Sequence, residues 1–215
     1  MARRRRAHKD SALKLAASQQ LFAYWDALRG VRGAPERNDI EPTALRGVIA
    51  DTFILEFRKA ERFPMRVAGG RTNALFGREL RGAAFLDLWD AAGRDEMARV
   101  IESAADGAQP FLAGARGAPA GAAALDFETL ILPLRHHGAT HARVLGSVTP
   151  ASGAEWFGLL PMRPLALTSL RALNWEAGSV FGARGATPQR HAHLFVHVSG
   201  RDAARGRAPH PEAGG

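Results

Sequence analysis

Three histidines near the end of the chain have the type and spacing that could bind a metal. His191, His193 and His197 fall at odd positions of the segment HAHLFVHV, so a strand would place them on one face. Three neutral imidazoles can bind Zn²⁺ or Ni²⁺. Metal sites of this kind usually add ligands from other elements and supporting carboxylates, and this segment contains no carboxylate. We therefore expect no metal site here, and the role of the segment stays open.

Other catalytic chemistry has little support in the sequence. His136, His137 and His141 form a cluster beside a predicted turn, where one of them could bind haem, but no further residue favours this. The chain has no cysteine, which excludes thiolate metal sites, a thiol nucleophile and the flavin chemistry that needs an adduct-forming cysteine. No motif of a nucleophile elbow, a phosphate-binding loop or a zinc protease occurs. We expect no enzymatic activity and no catalytic residue, and the sequence leaves the cofactor unknown.

Glu128 is the acidic residue with the most informative position. It lies in the predicted strand Leu125–Arg135, on the same face as Leu130, Leu132 and Leu134, so its carboxylate should be partly buried. A buried carboxylate needs a cation or strong hydrogen-bond donors. Two interpretations remain open. Glu128 forms an ion pair that stabilises the fold, or it lines a pocket and binds a polar ligand; the arginines available to it are Arg66, Arg71 and Arg78.

The net charge of +8 is concentrated at the two ends of the chain. Residues 1–14 carry six Lys or Arg against one Asp, and residues 184–215 carry five Arg against two acidic residues. The 169 residues between are neutral, with 18 basic and 18 acidic side chains. A specific nucleic-acid surface normally has its positive charge on the folded domain, so this pattern argues against one. Arg3–Arg6 are too few to anchor the chain stably on a membrane.

No apolar run approaches the ~20 residues that a membrane helix needs, and no apolar stretch follows the N-terminal arginines as it would in a secretory signal. The sequence therefore predicts a cytoplasmic protein without a membrane span. We expect a basic, disordered tail over residues 1–14, one domain with its flanks over residues 15–173, and a mostly disordered tail over residues 174–215.

An amphipathic helix is predicted from Ser18 to Gly30. Its large apolar side chains recur at spacings of three and four residues and include a tryptophan and a tyrosine. These side chains either pack against their own domain or contact a second subunit or another protein. The residues predicted for such an interface are Leu21, Tyr24, Trp25 and Leu28.

The remaining elements alternate in an order that predicts one antiparallel sheet. Strands are expected over 51–57 and 63–68, short helices over 71–76 and 85–89, a longer helix over 93–106, and strands over 111–115, 125–135 and 142–148. Two strands, a helical crossover and three further strands give an α+β domain with helices on one face of the sheet.

The strand 125–135 is apolar on both faces from Thr129 onward, whereas a sheet with one solvated face would alternate. Another element must therefore cover the outer face. The candidates are the N-terminal helix with Trp25 and the later segment 155–175.

Three sequence blocks together resemble one family. They are YWDALRGVRGAPERNDIEP, FPMRVAGGRTNALFGRELRG and FETLILPLRHHG, and they occur in that order. They resemble the small bacterial PAS family PAS_5, with Gly77, Glu79, Leu80 and Gly82 matching the pattern GxELxG and Glu128, Thr129, Leu132 and Pro133 matching ETLxLPL. The resemblance covers about Ser18 to Leu173. The Ala- and Gly-rich stretch before Asp126 departs from the family pattern.

The resemblance implies a PAS fold: a five-stranded antiparallel sheet with short helices on one face and an N-terminal flanking helix. It also implies a sensor or regulatory role. We hypothesise a single-domain protein that acts through ligand- or signal-dependent protein–protein contacts, as a homodimer and/or with a signalling partner, and with a possible small-molecule ligand. The alternative is a ligand-free, constitutive adaptor or dimerisation module. The predicted pocket residues are Val67, Phe76, Phe85, Leu88, Trp89 and Glu128.

Overall fold

A single antiparallel sheet organises the part of the chain that this computed structural model describes, residues 13–153 and 155–173. The tail predicted over 1–14 is described only at its end, where the Lys14 N–H donates to Glu128. Residues 1–12 and 174–215, with His191, His193 and His197, lie outside the described residues. Three α-helices are described: α1 (Ala16–Arg29), α2 (Gly70–Phe76) and α3 (Ala91–Gly107). The strands are β1 (Thr52–Glu56), β2 (Met65–Ala68), β3 (Phe111–Gly117), β4 (Leu125–His136), β5 (Ala139–Pro150) and β6 (Ala166–Ala172).

The sheet has six strands in the order β2–β1–β5–β4–β3–β6, and every neighbouring pair is antiparallel. Five of these strands were expected from the sequence. The sixth, β6, pairs with β3 at the edge of the sheet. The α+β class, the antiparallel sheet and the N-terminal helix are confirmed, and the strand count is corrected from five to six.

The two longest strands, β4 and β5, form the centre of the sheet and are joined by a tight turn. His137 and Gly138 have φ values of 51° and 79°, the left-handed conformations that a two-residue type I′ hairpin requires. Beyond an irregularity between Leu134 and His136, the hairpin pairs Leu132 with Leu145 and Leu130 with Ser147. Each strand is therefore in a fixed register, which decides which side chains share a face.

One face of the sheet is covered by α2, the 3-10 helix Phe85–Leu88 and α3. The helix α3 begins at Asp90, whose carboxylate accepts the backbone N–H of Gly93 at 2.7 Å and caps the helix. Its buried side chains recur at helical spacing and include Met97, Val100, Ile101 and Ala104. We call this side of the sheet the α3 face.

The opposite side, which we call the α1 face, is covered by α1 and by the segment 34–48. Leu21 and Trp25 of α1 belong to one apolar cluster with Leu130, Leu132 and Leu134 of β4. The N-terminal helix is thus the cover that the sequence predicted for the outer face. None of the described helices is long and apolar enough to cross a membrane.

The second candidate, the segment after β5, contributes only Leu173, among its described residues, to the apolar cluster of the α1 face. Trp156 and Phe157 pack against the core of the α3 face instead. The Met162 N–H donates to the Leu75 carbonyl at 2.9 Å, and the Leu165 N–H donates to the Leu88 carbonyl at 2.8 Å. These bonds tie the segment to α2 and to the 3-10 helix before it enters the sheet as β6.

Candidate functional site

Four of the six predicted pocket residues lie together in the core of the α3 face. Phe76, Phe85, Leu88 and Trp89 are all buried in one apolar cluster. The 3-10 helix Phe85–Leu88 and the N-terminal side of α3 position three of them, and the last turn of α2 positions Phe76. The sequence therefore identified residues that share a location.

The space between these residues and the sheet is filled by aromatic side chains. The rings of Phe53 and Phe85 are 5.0 Å apart between centroids, and those of Phe85 and Trp89 are 6.0 Å apart at an edge-to-face angle. A Cβ at Gly146 would overlap the Phe53 ring, so even the backbone of β5 is packed against it. Three surface clefts formed by described residues have volumes of about 450, 220 and 460 Å³, and none of the three is lined by Phe76, Phe85, Leu88 or Trp89.

The same core holds polar atoms that have no hydrogen-bond partner among the described residues. The indole Nε1 of Trp89 is buried without an acceptor, and so are the hydroxyls of Thr72 and Thr129. A buried donor without a partner costs about 1–3 kcal/mol. The core of the α3 face is therefore largely apolar, and it contains buried polar atoms without hydrogen bonds.

The other two predicted pocket residues lie elsewhere. Val67 is on the edge strand β2, and 45% of it is exposed. Glu128 shares a face with Leu130, Leu132 and Leu134, as the sequence indicated, but that is the α1 face. The alternation along a strand shows which residues share a face of the sheet, but it does not show which helix covers that face. The predicted pocket thus combined residues from opposite sides of the sheet.

Glu128 binds the backbone at the start of α1. Its Oε1 accepts the N–H of Lys14 at 2.8 Å, and its Oε2 accepts the N–H of Leu15 at 3.1 Å. Leu15 is the N-cap of α1 and supplies no side-chain cap of its own. A carboxylate at this position satisfies free N–H groups and interacts favourably with the helix dipole. Glu128 therefore fastens the N-terminus of α1 to the sheet.

The ion pair expected for Glu128 is not formed by any of the three candidate arginines. Arg66 is 3.5 Å from Glu56, and Arg71 makes a bidentate pair with Asp51. Arg78 has no carboxylate partner among the described residues. The donors that Glu128 uses are backbone N–H groups, which have no signature in the sequence, and this explains why they could not be identified there.

Trp25 makes a second polar attachment between α1 and β4. Its Nε1 donates to the Pro133 carbonyl at 2.8 Å, and its ring is fully buried. The Arg29 guanidinium lies over the same ring, 5.5 Å from its centroid, and also pairs with Asp26. Leu21, one turn earlier, is fully buried as well. One end of α1 is thus held by Glu128 and the other by Trp25.

The predicted interface residues divide into two pairs. Leu21 and Trp25 have no exposed surface while α1 lies on the sheet, so a second subunit cannot contact them in this arrangement. Tyr24 and Leu28 are half-buried, and the Tyr24 hydroxyl accepts the Glu41 N–H at 2.8 Å. The helix packs on its own domain, which was the first of the two interpretations.

Three hydroxyl groups beside this interface have no partner among the described residues. Ser18 is on α1, and Ser147 and Thr149 are on β5, opposite Leu130 and Glu128 of the α1 face. Separation of α1 from the sheet would let water bind all three. Their hydration lowers the free-energy cost of that separation, because each buried, unpaired group is destabilising by about 1–3 kcal/mol.

The motif Gly77–Gly82 forms the turn that follows α2. Gly77 and Gly82 have φ values of 63° and 82°, which glycine adopts at no steric cost. The Glu79 carboxylate accepts the Arg81 N–H at 3.0 Å and the Asn73 side-chain amide at 3.1 Å. These bonds, led by that from Arg81, lower the pKa of Glu79. Leu80 is fully buried between them, so the motif anchors the turn in the core of the α3 face.

The histidines of the β4–β5 turn do not form a metal site in the part of the chain that is described. The rings of His136 and His137 are 4.1 Å apart, and partial burial, then His137 and Arg143, lower the pKa of His136. Within the described ranges, no group of three or more His, Asp or Glu side chains could hold a metal ion. The side chain of His141 and the later histidines lie outside these ranges.

Comparison with known proteins agrees with this architecture. A search of curated protein sequences gives no significant match. The sequence model of the family PAS_5, described as a PAS domain, matches residues 13–149, which begins at α1 and ends within β5. The match covers more than half of the 215 residues and includes all three sequence blocks. The chain therefore belongs to the PAS_5 family of PAS domains, a class of sensory and regulatory modules.

Proposed function

We propose that this protein is a PAS regulator whose output is a protein–protein contact controlled by α1. The observation that carries the proposal is that α1 packs on an apolar sheet face, beside the segment 34–48, and is fastened to the sheet at its two ends by Glu128 and Trp25. Undocking of α1 would expose Leu130, Leu132 and Leu134, a surface that another protein can bind.

A signal can control this contact only if it favours one position of α1 over the other. The ligand or partner must bind the docked or the undocked arrangement more tightly, because equal affinity for both shifts nothing. Glu128 and the start of α1 are the natural control point, since two hydrogen bonds there join the helix to the central strand. Partners of this kind include a second copy of the chain or a signalling protein. We expect no enzymatic step.

A ligand-free, constitutive adaptor is the second candidate, and the packing of the α3 face favours it. Four of the six side chains predicted to line a ligand pocket are buried in one cluster, where Phe85 contacts both Trp89 and Phe53. Native mass spectrometry with an absorbance spectrum of the same sample separates the two candidates. A bound small mass or a chromophore would support the ligand-dependent sensor, and protein without added mass would support the adaptor.

Light scattering with size-exclusion chromatography tests the output directly. We expect wild-type protein to self-associate. Glu128→Gln should change the dissociation constant of the dimer about tenfold or more, because the substitution weakens a charge-assisted attachment of α1. The matched control is Asp126→Asn, two residues earlier on β4, where the carboxylate is exposed and binds only Arg116 among the described residues. A monomer for wild type and both variants well above physiological concentration would contradict a contact between copies.

A further inference from the structure

A small apolar cleft lies at the margin of the α3 face and away from the α1 face. It has a volume of about 220 Å³ and lies between the start of β1, the helix α2 and the segment that follows β5. Its carbon surface comes from Ala74, Leu75, Pro150 and Phe157. Leu159 and Leu160, which follow the cleft residue Gly158 in the chain, are exposed apolar side chains.

One charged side chain, Arg71, is held rigidly at the cleft. Its Nε and Nη2 donate to the two carboxylate oxygens of Asp51, each at 2.7 Å. The Asp51 side chain is only 5% exposed, whereas that of Arg71 is 58% exposed. The buried Asp51 carboxylate, which also lines the cleft, therefore fixes the plane of the guanidinium, while more than half of the Arg71 side chain stays open to solvent.

The fixed guanidinium keeps donors for a ligand. Arginine has five N–H groups, and Asp51 uses one on Nε and one on Nη2. The remaining N–H groups on Nη1 and Nη2 have no acceptor among the described residues, and their parallel arrangement matches the two oxygens of a carboxylate. Asp51, through its hydrogen bond and its charge, raises the pKa of Arg71, so the guanidinium is always charged.

We propose that this cleft binds a small apolar monocarboxylate, with the carboxylate on the free edge of Arg71 and the aliphatic or aromatic group on Phe157 and Leu75. A phosphate or a polar dianion would leave the carbon surface unused, and a neutral hydrocarbon would leave the donors unused. The cleft is smaller than the ~300–1,000 Å³ of most ligand pockets, so the ligand is fragment-sized. This site goes beyond the proposed function, because none of its residues contributes to the attachment of α1.

Calorimetric titration of the full chain tests the proposal, with phenylacetate and hexanoate as probes. The neutral amides, phenylacetamide and hexanamide, have the same shape without the charge. We expect saturable binding of at least one acid, and binding of its amide that is weaker by about 10-fold or more, because charge-assisted hydrogen bonds are lost. No saturation by either acid at about 10 mM, or equal binding of acid and amide, would overturn the proposal.

Acetate and inorganic phosphate serve as probes without an apolar group. If either anion binds as tightly as phenylacetate or hexanoate, Arg71 is only a general anion contact and the proposal fails. A third outcome would also overturn the proposal: neither acid binds, Leu159→Asp abolishes a dimer, and Val31→Asp preserves that dimer. The cleft would then belong to an interface between copies. Val31 is a suitable control because it is an exposed apolar residue outside the cleft.

Two variants locate the binding. Arg71→Gln should weaken binding of the acid about 10- to 100-fold, whereas Arg116→Gln should leave it unchanged. Arg116 is a matched control, because it is 57% exposed and also pairs with an aspartate. Since Arg71→Gln leaves Asp51 without its partner, Ala74→Phe provides a second test that keeps the ion pair and fills the cleft. Loss of binding in Ala74→Phe with an unchanged melting temperature supports the site, and unchanged binding in both Arg71→Gln and Ala74→Phe would refute it.

Discussion

The two faces of the central sheet are packed in different ways, and the difference suggests which face can open. Of the described residues, the α3 face buries seven aromatic side chains, which several elements cover. The segment after β5 is hydrogen-bonded to two of these elements, α2 and the 3-10 helix Phe85–Leu88. Of the described residues, the α1 face buries one aromatic side chain, Trp25, among aliphatic residues, and its cover consists of α1 and the segment 34–48. Polar attachments at Glu128 and Trp25 hold that helix. We infer that the α3 face provides stability and that the α1 face provides the reversible contact.

Truncation of the tryptophan on each face should separate these roles most strongly. Both Trp25 and Trp89 are fully buried. Trp89→Ala should lower the free energy of unfolding by about 3–5 kcal/mol, because it leaves a cavity in the main core. Trp25→Ala should lower the free energy of unfolding less. If the rest of the domain folds without α1, the largest possible loss is the free energy of docking α1. Urea unfolding followed by circular dichroism measures both values, and a larger loss for Trp25→Ala would show that α1 is an integral part of the core.

A milder pair of substitutions isolates the polar attachment. Trp25→Phe removes the donor to the Pro133 carbonyl, whereas Trp89→Phe removes an indole N–H that has no partner among the described residues. Both changes delete similar volume from a buried site. We expect Trp25→Phe to be more destabilising than Trp89→Phe by about 1–2 kcal/mol, because only the first leaves a carbonyl unpaired. Equal losses in the same urea experiment would mean that the bond from Trp25 adds nothing to the docking of α1.

Removal of the charge at position 128 should act on α1 alone. Glu128→Gln keeps the shape of the side chain but weakens the hydrogen bonds to Lys14 and Leu15. We expect hydrogen exchange of the α1 amides to accelerate about tenfold or more, with exchange in α3 unchanged. Asp126→Asn is again the control. Equal acceleration in α1 and α3 would indicate that the two faces open together.

Much of this fold could be predicted from the sequence, because the patterns involved are local. Because β4 is apolar on both faces, a second element had to cover it. The helical spacing of Leu21 and Trp25 indicated which element that is. The turn at His137–Gly138 was expected from its position between two strands. The edge strand β6 was missed because its residues, ALTSLRA, are mostly half-exposed and lack a clean alternation.

The candidate site was less predictable, because it depends on contacts between distant parts of the chain. Glu128 was correctly placed on a face with Leu130, but its partners are backbone groups 114 and 113 residues away. The pairing of Asp51 with Arg71 depends on the packing of α2 against the start of β1, for which the sequence has no pattern. Whether Phe85 and Trp89 enclose a cavity or fill it depends on how their rings pack, and composition does not determine this.

Thiol labelling tests most directly the claim that the α1 face opens on its own. The chain has no cysteine, so Ser147→Cys and Thr129→Cys each introduce a single probe. Both hydroxyls are buried without a partner on central strands, Ser147 on the α1 face and Thr129 on the α3 face, where its neighbours are Ala113 and Val148. We predict that a thiol reagent labels the cysteine at 147 at least about tenfold faster than the one at 129, which corresponds to an opening free energy lower by about 1.4 kcal/mol. Equal labelling rates, both following global unfolding, would contradict the account.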